Sequence, residues 1–146
     1  MEPQKIMRHF FALALLLAMS AFTANTRAEV VVIVSAKSRV TSLTAQQTAR
    51  IFLGKTSEFP DDSDAVPYDQ REGSDIRNEF YAKVVHKNPS QVSAYWAKII
   101  FTGDGRPPET LDGDAEVRRT VARNPNAIGY IDKKSVNKTV RVILEP

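Results

Sequence analysis

Seven residues near the start of the chain restrict its folding more than any others. Glu29-Val30-Val31-Val32-Ile33-Val34-Ser35 is a continuous β-branched run with no polar alternation. Val and Ile are stiff at χ1 and pack well on a pleated surface. A strand that is apolar at every position is one buried on both faces of a sheet. The run predicts the first strand, in a central position, and a sheet covered on both sides.

What precedes the run reads differently. Lys5 and Arg8 stand before the apolar stretch from Phe10 to Met19, and small residues then lead to Thr26-Arg27-Ala28. That order of charged, apolar and small segments is the pattern of a secretory signal peptide, spanning residues 1–28 with cleavage after Ala28, or alternatively after Ala24. The apolar stretch is too short to span a bilayer comfortably, and no later stretch is long and apolar enough to do so. Residues 29–146 are then one exported domain of ordinary size, with a single core. The net charge of +3 owes much to Lys5, Arg8 and Arg27, so the domain has no basic footprint for nucleic acid. The chain has no cysteine, which excludes disulfides, thiolate metal sites and a Cys nucleophile.

Helices and strands follow with their ends marked. Thr44 and Gln47 fit a capping box at the start of a helix from Leu43 to Lys55, and Gly54 suits its left-handed C-terminal residue. Thr56 to Asp64 reads as a surface loop. Ala65 to Tyr68 is a short strand, and Pro67 suggests a sheet edge. A helix from Asp75 to about Val85 carries Ile76, Phe80 and Val84 on one stripe. Asn88, Pro89 and Gln91 open a further helix with Val92, Tyr95, Trp96, Ile99 and Ile100 on its buried face. Another starts at Asp112 or Asp114 and runs to about Arg123, acidic first and basic last, as the helix dipole favours. Ala127 to Ile131 and Thr139 to Leu144 are strands. Strands interleaved with amphipathic helices define an α/β fold, a sheet flanked by helices.

Between strand and helix, Tyr68 to Phe80 forms the candidate site. The chain turns at Gly73, and Ser74 caps the helix that begins at Asp75. Free N–H groups and the positive end of a helix dipole at such a turn favour a small oxyanion. Arg71, Gly73, Ser74, Asp75 and Arg77 are the candidate ligand-binding residues, with Arg71 or Arg77 supplying charge. Asp75 is also suited to stabilising its own helix as a first-turn acid. Other features read as structural. Trp96 is a core anchor, Gly129-Tyr130 marks close packing at a strand start, and His86 is a capping or solvated residue at a helix end. Asp61, Asp62 and Asp64 lack the glycine and distal glutamate of a calcium loop. With neither a nucleophile beside a base nor clustered metal ligands, the chain is expected to be a binding module with no cofactor, and not an enzyme.

Four motifs in order carry a family resemblance. They are Arg50-Ile51-Phe52-Leu53-Gly54-Lys55, Gly73-Ser74 opening a helix, Tyr95-Trp96 followed by Phe101-Thr102-Gly103, and Pro125-Asn126-Ala127-Ile128-Gly129-Tyr130-Ile131. From Val30 to Leu144 the chain resembles the phosphate-binding proteins of phosphate ABC importers, and more narrowly the short single-lobe proteins similar to them. The resemblance implies one lobe of a type II periplasmic binding protein-like fold, with phosphate or another small oxyanion as ligand and an ABC permease or another envelope protein as partner. In the family the second lobe contributes an arginine and a Ser-Gly-Thr helix start. Ser74 matches that serine and Gly73 the glycine before it, whereas Asp75 stands where glycine is usual and Ile76 where threonine is usual. An ungapped match puts Gln70 at the family arginine, and Arg71 substitutes only if the turn is one residue shorter. A lobe that kept the scaffold and lost the ligand is the alternative reading.

Overall fold

The computed structural model describes residues 27–146. All of the expected leader except Arg27 and Ala28 lies outside the described residues. No helix among the described residues is long and apolar enough to cross a membrane.

The β-branched run is strand β1 (Val30–Ser35), buried at every position. Period-2 alternation divides it between two cores. Val30, Val32 and Val34 face one cluster with Phe52, Phe80, Trp96 and Tyr130, and Val31 and Ile33 face the other with Val117, Val121 and Ile131. Strands β2 (Val66–Gln70), β3 (Glu109–Leu111), β4 (Ala127–Asp132) and β5 (Val140–Leu144) complete one mixed sheet in the order β3-β2-β4-β1-β5. Strand β1 is interior as expected, antiparallel to β4 and β5, while β2 runs parallel to β3 and β4.

Helices α1 (Ala45–Phe52), α2 (Asp75–Phe80) and α3 (Pro89–Thr102) contribute to the first core, and α4 (Asp114–Arg123) to the second. Their ends sit where the capping chemistry places them. Thr44 and Gln47 exchange both bonds of a capping box at α1, and Asn88 and Gln91 do so at α3. Gly54 and Gly103 follow with φ of +66° and +74°. Helix α2 passes into a π turn, Tyr81–Val85, which ends at exposed His86 with φ of +58°. The stripe Ile76, Phe80 and Val84 is buried, joined by Tyr81 and Val85. At Gly129 a methyl group would lie 2.6 Å from Val117 Cγ1, so the close packing expected there comes from α4 pressed onto β4.

Three expectations are corrected. Strand β2 is not at the sheet edge. Its first residues pair with β4 and its last three with β3. The Val66 N–H bonds Asn126 O on the β4 side, so the Pro67 nitrogen faces the other side, where pairing begins only at Tyr68. The strand therefore loses no ladder bond to the proline. The buried face of α3 is narrower than its apolar content suggests, because Ile100 is 58% and Phe101 93% exposed. In the loop from Thr56 to Asp64, Phe59 is buried. The short edge strand β3 was not expected from the sequence.

Candidate anion site

The end of β2 delivers two successive buried polar residues, Asp69 and Gln70, into the molecule. Burying a carboxylate is costly unless hydrogen bonds and an opposite charge compensate it. Asp69 has both. Tyr81 Oη donates to its Oδ2 at 2.7 Å, Tyr130 Oη donates to Oδ1, the Gln70 N–H donates to Oδ1 at 2.8 Å, and Arg77 Nε lies 3.3 Å from Oδ1. The Arg77 side chain is only 13% exposed and its guanidinium carbon sits 4.9 Å from the centre of the Tyr81 ring. Gln70 Nε2 donates to Tyr130 O at 2.8 Å and to Asp114 Oδ1 at 2.9 Å, which ties β2 to β4 and α4.

These contacts set the titration of the cluster. Burial, then the Asp69 charge, pushes Tyr81 and Tyr130 far above the ordinary phenol range. Burial, the largest single influence, would lower Arg77, but Asp69 together with Tyr81 and Tyr130 outweighs it, and the guanidinium is held more firmly protonated. A phenol raised in the folded state contributes stability that is complete below about pH 10, its ordinary value, and is lost as pH rises through the folded value. Alkaline titration followed by tyrosinate absorbance should show Tyr81 and Tyr130 ionising only as the protein unfolds. The double variant Tyr81→Phe/Tyr130→Phe should lose that step, and a smooth titration of both phenols in the folded wild type would contradict it.

Beyond Gln70 the chain forms the expected turn. Gly73 has φ of +83° with no atom near a would-be Cβ, so its backbone conformation alone explains the glycine. The Ser74 N–H closes the turn on Arg71 O at 3.2 Å. Ser74 is the N-cap, its Oγ accepting from the Arg77 N–H at 3.4 Å. The N–H groups of Asp75 and Ile76 find no acceptor among the described residues, as the first turn of a helix leaves them. Gly73, Ser74 and exposed Asp75 thus stand together at the turn.

The two arginines do not join them. Arg71 pairs with Asp112, both partners being about 70% exposed, and Arg77 is turned inward to Asp69. Sequence spacing does not show that Asp69, Gln70, Tyr81, Tyr130 and Asp114 meet in one network. A charged residue just after the apolar strand Ala65 to Tyr68 was the available signal, since such a residue needs partners if the strand is interior. A cavity of about 610 Å³ lies elsewhere, at the start of β2, lined by Ile51, Pro67, Tyr68, Trp96 and Pro107. Among the described residues no group of His, Asp and Glu is placed to hold a metal ion.

No protein-family model matches the chain, and no curated protein matches it. Solved structures do. A protein from Clostridium perfringens assigned as a phosphate ABC transporter substrate-binding protein, solved with bound phosphate, superposes with a TM-score of 0.64 at 23% identity, over 80% of this chain and 44% of its own. An ABC-type phosphate transport receptor from Vibrio cholerae gives 0.62 at 19%, over 80% and 45%. The chain has the fold of one lobe of these periplasmic-binding-protein-like structures. PstS from Borrelia burgdorferi extends the likeness at 0.59 and 15%, over 80% and 46%. This chain therefore spans less than half the length of each, and at such identities the likeness carries the fold. The first two are described as a substrate-binding protein and a transport receptor.

Proposed function

We propose that this chain is an exported, periplasmic solute-binding lobe that takes a small oxyanion, phosphate first, at the Gly73-Ser74 helix start. The observation that carries the reading is the turn itself: a positive-φ glycine, a serine cap and two N–H groups without acceptors, in a lobe whose structural relatives include a phosphate-bound protein. The Ser74 hydroxyl and the free N–H groups would hold the anion. An ABC permease, or another envelope protein, is the partner this reading implies.

Affinity in this reading is weak. Arg71 and Arg77 are each neutralised by a carboxylate, so neither lends full charge to a ligand. Asp75, exposed at the first helical position, repels an anion about 4 Å away by between about 1 and 4 kcal/mol, depending on how much water screens it. That corresponds to roughly one to three decades of affinity. A single lobe also leaves one side of the ligand in solvent, and a second chain would be needed to enclose it.

A second reading is favoured by the same pairing of both arginines: an envelope interaction lobe that has lost the ligand. Thermal unfolding of wild type and Ser74→Ala with phosphate, sulfate and other oxyanions separates the two. A shift that disappears in Ser74→Ala supports the binding lobe. Equal shifts in wild type and Ser74→Ala with every anion support the interaction lobe.

A further inference from the structure

We infer that Asp69 is a resident ligand: its carboxylate occupies a receptor-type anion pocket built from Tyr81, Tyr130, Arg77 and the Gln70 N–H, a pocket that accepts a small free carboxylate once the resident one is removed. The inference is independent of any ligand at Ser74. One cation suffices for a structural ion pair, yet here four donors, from β2, α2, the π turn and β4, meet on two oxygens: Gln70 N and Arg77 Nε on Oδ1 with Tyr130 Oη, and Tyr81 Oη on Oδ2. Convergent donors of mixed type, enclosed by protein, are how a binding site recognises a carboxylate.

Each donor is anchored by contacts that do not involve Asp69. The Tyr130 ring lies flat on Phe80, with centroids 4.0 Å apart and 4° between planes, and is flanked by Phe52. Tyr81 packs edge-on against Phe80. Arg77 is held over the Tyr81 ring and by its own helix. The Gln70 backbone is fixed by β2 and by its side-chain bonds to Tyr130 O and Asp114. With Tyr81 2% and Tyr130 0% exposed, the donors should stay in place when the carboxylate is cut away, leaving a preorganised pocket. The space freed by Asp69→Ala is that of one carboxylate group, and the pocket carries one formal positive charge. The matching ligand class is a planar monoanionic carboxylate, formate best, whereas tetrahedral phosphate and sulfate are too large. In the wild type the resident anion also keeps Arg77 inward.

The test is thermal unfolding of Asp69→Ala in sodium formate against sodium chloride at equal ionic strength. At about 0.2 M formate the variant should gain on the order of 5 °C over chloride, acetate should give less, and sulfate and phosphate should raise the variant no more than they raise the wild type. The wild type should respond equally to formate and chloride, and Asp69→Ala/Tyr81→Phe should lose the formate gain. An Asp69→Ala variant that responds to formate no more than wild type overturns the proposal. If the variant does not accumulate folded, refolding from urea is scored instead: higher recovery in formate supports the pocket, and equal recovery in both salts overturns it.

Discussion

Asp69→Ala should lower the folding free energy by about 4 kcal/mol, since removing one member of a buried ion pair leaves the other charged and unpaired. The loss is compound. Arg77, 13% exposed at its side chain, keeps its charge with no counterion. The hydroxyls of Tyr81 and Tyr130 lose the acceptor they share, and an orphaned buried donor costs about 1–3 kcal/mol. The Gln70 N–H has a second acceptor in Tyr130 Oη at 3.1 Å, which limits the total. Asp69→Asn should cost less than Ala, because an amide oxygen still accepts from a tyrosine. In a double-mutant cycle, Arg77→Met should cost much less in the Asp69→Ala background than in wild type, since the charge it removes is by then unpaired. Urea denaturation measures each term, and a loss below about 1 kcal/mol for Asp69→Ala would contradict a buried, coupled network.

Phe80→Ala should cost about as much, roughly 4 kcal/mol, for a different reason: lost transfer energy plus a cavity that cannot close. Phe80 is fully buried, 4.6 Å from Phe52 and stacked on Tyr130. Those two rings are fixed by α1 and β4, on separate elements, so the space left by a methyl group cannot easily be refilled. Phe80→Leu, closer in volume, should lose under about 1.5 kcal/mol. Phe101→Ser provides the contrast: 93% exposed, it should leave the urea midpoint unchanged. Equal losses at Phe80 and Phe101 would show that the buried stripe of α2 had been placed wrongly.

What the residues disclosed divides by range. Capping boxes at Thr44 and Asn88, the glycines after α1 and α3, the β-branched run and the Gly73-Ser74 turn depend on residues three or four apart, and each was legible. Long-range features were not. Pro67 looked like an edge residue because nothing local tells that β3 begins pairing one residue later. Ile100 looked like core because apolar content does not say where the sheet stops beneath a helix. At the candidate site the turn was readable but the fate of its charges was not. Arg71 meets Asp112 and Arg77 meets Asp69 only once β2, α2 and the chain before α4 are brought together. The tyrosines on Asp69 come from positions 12 and 61 residues away.

Calorimetric titration of phosphate into protein shown to be monomeric by light scattering decides whether the Gly73-Ser74 turn holds an oxyanion. Weak binding is expected, with a dissociation constant of about 1 mM or above, abolished by Ser74→Ala. Tight binding by the lone lobe, at about 1 μM or below, would contradict it.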